Sequence, residues 1–275
     1  MRLTINGVIM ALCIGIIVLF IFIGVFADHL APHDPEKANF NERLKEPSLE
    51  YPMGTDQLGR DILSRIIFGT RISLSLCAVI MGFSVAIGIT VGLVSGYFGG
   101  LVDEVLMRVV DTLLAFPGTL LALAIAGIFG GGMVNLVIAL VIVDWTTYAR
   151  IVRSGVISVK KLDFIKASRG LGFSDNNIIW RHILPNVLPS TIVMVTIMIG
   201  HTIISISGLS FLGVGVQPPT PEWGYMLNDG RLYLRSAPYL MIFPGVVIIL
   251  IALAFNLLGD VLRDRLDPRM RKDVL

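Results

Sequence analysis

The chain has 275 residues, of which 55% are hydrophobic and 15% charged, with a mean hydropathy of +0.80. That balance lies outside the range of soluble domains and points to a membrane protein. A net charge of +2, with no basic block and no interleaving of basic and aromatic residues, excludes nucleic acid as a partner.

A hydrocarbon core of ~30 Å needs roughly 20 apolar residues in helical form, so the chain reads as one all-α, polytopic membrane domain. The first apolar run, 7–27, ends in Val25-Phe26-Ala27, which resembles a signal-peptidase site. It is longer than a signal core and more apolar runs follow, so it is read as a retained first helix. Asp28 to Ile72 is polar and carries Pro32, Pro35, Pro47 and Pro52, which predicts an extra-membrane loop with a short amphipathic helix near Asp61 to Thr70. Further apolar runs at 73–97, 112–129, 133–149, 187–209 and 239–258 bring the expected spans to six. Gly130, Gly131 and Gly132 predict a tight turn that folds the third and fourth spans into an antiparallel hairpin. Pro117 and Pro244 are expected to start or kink their helices. Cys13 and Cys77 lie in apolar runs without a partner at disulfide or metal-ligand spacing and read as packing residues.

With the amino terminus inside, the inner segments hold fourteen of the chain's 22 Lys and Arg and the outer segments eight, a bias that predicts both termini on the cytoplasmic side. Between the fourth and fifth spans lies 150–189, a polar cytoplasmic stretch too long for a turn. Within it Lys160 to Gly172 predicts a short helix with Ile165, Ser168 and Leu171 on a similar face, and Pro185 and Pro189 break the chain before it re-enters the membrane. A short rigid helix across the membrane base is suited to convert movement of a docked partner into tilting of the spans. Its alternative is an interfacial helix held by its basic face to anionic membrane lipid.

The run Asp163-Phe164-Ile165-Lys166-Ala167-Ser168-Arg169-Gly170-Leu171-Gly172, followed by Arg181-His182-Ile183-Leu184-Pro185-Asn186, resembles the EAA loop of ABC importer permeases. Ala167, Ser168, Gly172, Leu184 and Pro185 match that motif; Lys166 stands where glutamate is usual and His182 where an aliphatic residue is common. The resemblance makes Asp163, Lys166, Ala167, Ser168, Leu171 and Gly172 the residues that couple to an ATPase, with the contact ascribed to the usual glutamate in doubt. Gly54-Thr55-Asp56-Gln57-Leu58-Gly59-Arg60-Asp61, Leu209 to Thr220, Glu222-Trp223-Gly224, Phe255 to Asp260 and Leu266-Asp267-Pro268-Arg269 resemble the oligopeptide, dipeptide and nickel branch of these importers. Gly200-His201, Tyr148-Ala149-Arg150 and Asn228-Asp229 look most like the nickel permeases.

That resemblance implies a type I importer permease fold in a prokaryotic cytoplasmic membrane. It implies half of a translocation path for nickel or a nickel chelate, with a dipeptide or oligopeptide permease as the alternative. The implied partners are a second homologous permease subunit, two ATPase subunits that bind ATP and Mg, and an extracytoplasmic substrate-binding protein. The chain has no G-x-x-x-x-G-K-[ST] phosphate loop, no H-E-x-x-H motif and no paired catalytic carboxylates, so no cofactor and no enzymatic activity are expected of it. A channel or secondary carrier working alone is the rival of a different class.

Three sets of residues are candidates for chemistry. His201 falls about 11 residues into the fifth span, near the midplane at ~1.5 Å per residue, with Ser205 and Gly208 expected on its face as a narrow polar track. Imidazole suits Ni(II), so His201 is a candidate metal ligand, and an interhelical hydrogen bond is the alternative. Asp144 in the fourth span is a second substrate-path candidate, badly placed to pair with Arg150. Asp28-His29 and His33-Asp34 offer ligand types split by Pro32, and Asp56, Arg60 and Asp61 read as ion pairs that fix the loop to the second span, or as contacts for a binding protein.

Overall fold

The computed structural model describes residues 2–266, with side chains from 7 to 265, and every regular element among them is helical. Most of the Leu266-Asp267-Pro268-Arg269 motif and the basic residues Arg269, Arg271 and Lys272 lie outside the described residues. In order the helices are α1 (Arg2–Val25), α2 (Ala27–Leu30), α3 (Ile62–Phe98), α4 (Gly100–Leu114), α5 (Gly118–Phe129), α6 (Met133–Lys160), α7 (Asp163–Gly170), α8 (Asp175–Ile178), α9 (Leu184–Phe211), α10 (Trp223–Gly230) and α11 (Tyr239–Leu266). Five of these stretches are long and apolar enough to cross a membrane, and a sixth span exists if α4 and α5 are taken together.

α3 holds the bundle together. Asp61 caps it by accepting a hydrogen bond from the Ser64 amide at 2.9 Å, and no breaker follows for 37 residues, a length of about 55 Å. The amphipathic helix expected over Asp61 to Thr70 is therefore the first part of α3 and not a separate element; Arg65 within it is 1% exposed, so this turn is packed and not interfacial. α3 begins beside the end of α1, where Arg71 Nε donates to the Gly24 carbonyl at 2.8 Å, and ends beside α7. α1 thus runs antiparallel to α3 and α11 parallel to it, and the amino end of α1 and the carboxyl end of α11 lie at the α7 end of the molecule.

Gly88, Gly92 and Gly96 recur every four residues on α3 and let it lie directly against α6. A Cβ at Gly92 would stand 2.7 Å from the Ala149 carbonyl oxygen and from Val152 Cβ, and one at Gly96 would stand 2.8 Å from Val156 Cβ. Close approach of small residues is the usual way for helices to gain dispersion contact where lipid removes the hydrophobic incentive to associate. The main core fills the space between α1, α3, α5, α6, α9 and α11, with Ile80, Leu136, Tyr148, Ile206 and Trp223 all buried. A second cluster lies under α7 and a third at the opposite end, around Ile62, Met226 and Tyr239.

Three expected boundaries differ. The run 112–129 is not one straight span: the chain breaks at Ala115–Pro117 and α4 and α5 meet at 87°. Pro117 cannot continue the preceding helix, and α4 is tethered by its charges to the flank of α6, where Asp103 meets Arg153 and Asp111 meets Arg150. α5, at 12 residues or about 18 Å, is too short to cross alone. The run 133–149 continues as helix to Lys160: no proline interrupts Arg150–Lys160, and the Gly155 in it lies close against Val187 of α9. Pro185 and Pro189 do not break the chain: both sit in α9, and a π-helical turn at Ile179–Ile183 precedes Pro185, giving room for a ring that would otherwise clash with the carbonyl of residue 181.

Candidate functional site

α7 occupies Asp163–Gly170, three residues in from the expected start, because Lys161 and Leu162 form the turn that separates it from α6. Asp163 in its first turn and Arg169 in its last complement the helix dipole. Ile165, 1% exposed, seats the helix among Leu93, Tyr97, Val152, Val156, Ile178 and Ile183. Ser168 also turns inward and its hydroxyl donates to the Phe164 carbonyl at 2.8 Å. Leu171 departs from the expected face. The helix ends at Gly170 and Gly172 takes a left-handed φ of +80°, so Leu171 swings away and is 78% exposed.

The outward side of α7 carries Asp163, Phe164, Lys166 and Ala167, and Leu171, Gly172 and Phe173 follow it, all exposed. Phe164 and Phe173 both turn edge-on to His182, with ring centroids 6.3 and 6.1 Å away, which accounts for an aromatic residue in the slot expected to be aliphatic. Lys166 Nζ lies 2.8 Å from Asp163 Oδ1, and this hydrogen bond holds the Asp163 carboxyl below the usual aspartate range. Both groups are solvated, so the pair orders the surface and adds little to stability.

The polar residues of the spans do not converge. His201 faces out of the subunit, on the same side of α9 as exposed Ile204, whereas Ser205 is buried and Gly208 is half-buried. The expected track of His201, Ser205 and Gly208 along one exposed face does not form within the chain, since the rotation of α9 puts the boundary between outside and inside through it. Asp144 is half-buried, with Oδ2 out of contact with solvent and without a hydrogen-bond partner, and Arg150 pairs instead with Asp111 at 2.6 Å. Among the described residues no hydrogen bond joins Asp144, His201 and Ser205, and no group of three or more His, Cys, Asp or Glu is placed to hold a metal ion.

At the opposite end the loop before α3 is a built structure. Asp56 accepts from the Leu58 and Arg60 amides, and Arg60 Nε lies 2.7 Å from its carboxylate, with both side chains almost wholly buried. Arg65 Nε approaches the same carboxylate at 3.6 Å and its Nη1 donates to the Pro35 carbonyl at 2.9 Å. Asp61 serves as the α3 cap. Such buried charges need every partner, since losing one leaves the rest unpaired in a low dielectric. Asp28 pairs with Arg71 at 2.8 Å, and this hydrogen-bonded guanidinium holds its carboxyl below the ordinary range; His33 stacks on Tyr51. Glu222, fully buried, caps α10 by accepting from the Gly224 and Tyr225 amides and receives the Ser73 hydroxyl at 3.1 Å; burial pushes its carboxyl up.

Sequence reasoning missed Tyr97, the buried contacts of Arg65 and the Asp103–Arg153 pair. Tyr97 stands at the boundary of an apolar run directly before Phe98-Gly99-Gly100, where an amphipathic ring is characteristic of a span end. Arg65 follows Ser64 directly and Asp103 is followed by Glu104, so the local sequence singles out neither their burial nor their partners.

Comparisons with known proteins agree with this architecture. Residues 88–272 match the family of binding-protein-dependent transport system inner membrane components. The chain is 46% identical over 258 residues to the glutathione transport system permease protein GsiD of Pectobacterium atrosepticum, covering 93% of this chain and 85% of that one. It is 43% identical over 260 residues to the dipeptide transport system permease protein DppC of Alkalihalophilus pseudofirmus, covering 94% and 86%. Among solved structures, the inward-facing MetNI methionine ABC transporter superposes with a TM-score of 0.59 at 19% identity, over 74% of this chain and 96% of that chain. An amino acid ABC transporter superposes with a TM-score of 0.54, also at 19% identity. With a helical bundle, a short helix seated at one end and a family match over most of its length, the chain belongs to the binding-protein-dependent inner membrane components, the multi-pass permease subunits of ABC importers.

Proposed function

We propose that this chain forms half of the translocation path of an ATP-driven importer for short peptides or glutathione, and that α7 is the surface on which a separate ATPase subunit docks. The observation that carries the docking reading is the two-sidedness of α7. Its back is held by Ile165 in a closed apolar cluster, while Phe164, Leu171 and Phe173 stand exposed beside it. A small apolar patch with a charged rim, on a helix braced from behind, has the composition of a protein contact. ATP and Mg are bound by the partner, whose closure moves α7 and tilts the spans between inward-open and outward-open states. The Lys and Arg bias supports an orientation with α7 and both termini in the cytoplasm, and the ion-paired loop and α10 on the outer side, toward an extracytoplasmic binding protein.

The expectation of nickel gives way to the peptide alternative on two grounds. The relatives above are permeases for glutathione and dipeptide, and His201 stands without further metal ligands among the described residues. The test is uptake by the complete importer, reconstituted in vesicles, of labelled glutathione, labelled dipeptide and nickel with and without ATP. ATP-dependent accumulation of one of the peptides and none of nickel is expected. Nickel uptake alone, or transport without the ATPase, overturns the reading. Gly172→Trp places a bulky, strained side chain in open space beside the patch and is expected to abolish capture of the ATPase; undiminished capture refutes the docking surface.

A further inference from the structure

Tyr97 is the last residue but one of α3, and its side chain is 2% exposed. Three residues on both flanks of α7 converge on it. Lys160, at the end of α6, donates from Nζ to the Tyr97 carbonyl, and its ammonium lies 5.4 Å from the ring centroid. Arg169, in the last turn of α7, sets its guanidinium carbon 5.1 Å from that centroid. The Tyr97 hydroxyl donates to Asp175, the first residue of α8. One side chain of α3 therefore touches the segment that enters α7, α7 itself and the segment that leaves it, through contacts that depend on direction as well as proximity.

The other end of α3 is fixed in the same manner. The Ile66 carbonyl accepts from Trp223 Nε1 at 3.3 Å, the Ser73 hydroxyl donates to Glu222, and Arg65 reaches the Pro35 carbonyl of the ordered loop. Between these ends α3 is unbroken and free of proline, and Gly88, Gly92 and Gly96 hold it against α6. A continuous helix gripped at both ends moves as a body, whereas the 161–183 segment, made of short helices and turns, can absorb displacement locally.

We infer that Tyr97 is a positioning residue that clamps α7 to α3, so that displacement of α7 reaches the α10 end of the molecule as movement of α3. The inference rests on the reading of α7 as the ATPase docking surface. It separates two jobs in one region: exposed Phe164, Leu171 and Gly172 hold the partner, and buried Tyr97 delivers the partner's motion. Loss of the first abolishes binding. Loss of the second leaves binding and hydrolysis in place and disconnects them from transport.

The experiment uses the complete importer in vesicles and reads, in one preparation, ATPase capture, ATP hydrolysis and uptake of whichever peptide the unmodified importer accumulates. Tyr97→Leu keeps an apolar side chain in the cluster and removes both the π face and the hydroxyl. It is expected to retain capture and hydrolysis within about twofold while substrate moved per ATP falls roughly fivefold or more, the scale of a lost coupling contact. Tyr97→Phe and Asp175→Ala each remove the hydroxyl contact to Asp175 while keeping the ring in place, and are expected to lower that ratio by about twofold, with Tyr97→Phe above Tyr97→Leu. These milder variants decide the matter if Tyr97→Leu does not assemble. An unchanged ratio of uptake to hydrolysis in Tyr97→Leu, or in both milder variants, overturns the inference. If Gly172→Trp leaves capture intact the docking reading itself has failed; if Gly172→Trp abolishes capture and the Tyr97 variants stay coupled, only the clamp has failed.

Discussion

Replacing Gly92 by alanine adds one methyl group to α3, and the geometry says where it goes. The new Cβ would lie 2.7 Å from the Ala149 carbonyl oxygen and from Val152 Cβ, and 2.9 Å from Val152 Cγ1. The nearest atom belongs to the α6 backbone, so a rotamer change cannot relieve it. Restoring ordinary contact requires the two helices to separate by ~0.7 Å, and a gap of that size forfeits roughly a quarter to a half of the dispersion energy across the contact. Overpacking of this kind costs about 1–3 kcal/mol. Alanine's helix propensity offsets up to about 1 kcal/mol of that. The expected net loss is therefore about 1–2 kcal/mol, on a helix where Gly82→Ala, with nothing within 4 Å of its added Cβ, serves as a matched control and is expected to be neutral or stabilising. The assay is reversible unfolding of the purified subunit in mixed micelles against rising SDS. A Gly92→Ala midpoint equal to or above that of Gly82→Ala would refute close backbone packing of α3 on α6.

Ile165→Ala empties a fully enclosed site behind α7 and is expected to cost about 2–4 kcal/mol locally, seen as faster amide exchange across 160–178 with the spans unchanged; undisturbed exchange there removes Ile165 as the seat of the helix. Arg153→Gln breaks the paired hydrogen bonds to Asp103 at 2.6 and 2.5 Å, which are partly solvated, and is expected to cost on the order of 1 kcal/mol and to raise exchange in α4 alone. Glu222 carries a pH signature. Its folded carboxyl titrates above the ordinary glutamate range, so the folded state holds a proton that the unfolded chain has released, and stability falls as pH rises from that range through the raised folded value. Glu222→Gln is expected to flatten this part of the profile of melting temperature against pH, and an unaltered slope would show that Glu222 is ionised when folded. His201→Ala is expected to leave ATP-dependent peptide uptake within about twofold, because among the described residues no polar side chain joins it in a binding site; a tenfold loss, about 1.4 kcal/mol, would place it on the substrate path.

Much of this molecule was legible in advance because the relevant signals are sums over neighbours in sequence. Apolar runs near 20 residues announced helices in a membrane, and Lys160 to Gly172 announced a short helix between two of them, which forms over Asp163–Gly170. The ion pairs of Asp56 and Arg60 were legible too, since their spacing in a glycine-flanked turn brings them together whatever the remaining fold does. The Gly88-Gly92-Gly96 spacing was equally readable and was passed over, although its partner, the Ala149 to Val156 face of α6, was not.

What stayed hidden depended on helix rotation and on contacts between residues far apart in the chain. An i+4 spacing puts His201 and Ser205 some 40° apart around α9, but whether the line between outside and inside passes through that gap is set by α3, α6 and α11. Pro117 marked a break, yet the 87° turn there comes from α4 being drawn along α6 by Arg150 and Arg153. Tyr97 reads in one dimension as an ordinary aromatic at a span boundary; its place among Lys160, Arg169 and Asp175 exists only once α3, α6, α7 and α8 meet. Local composition sets which segments become helices in lipid, because each residue's transfer energy is spent near its own position. Which side chains those helices bring together is decided by packing across the bundle, where every rotation is a compromise among several neighbours at once.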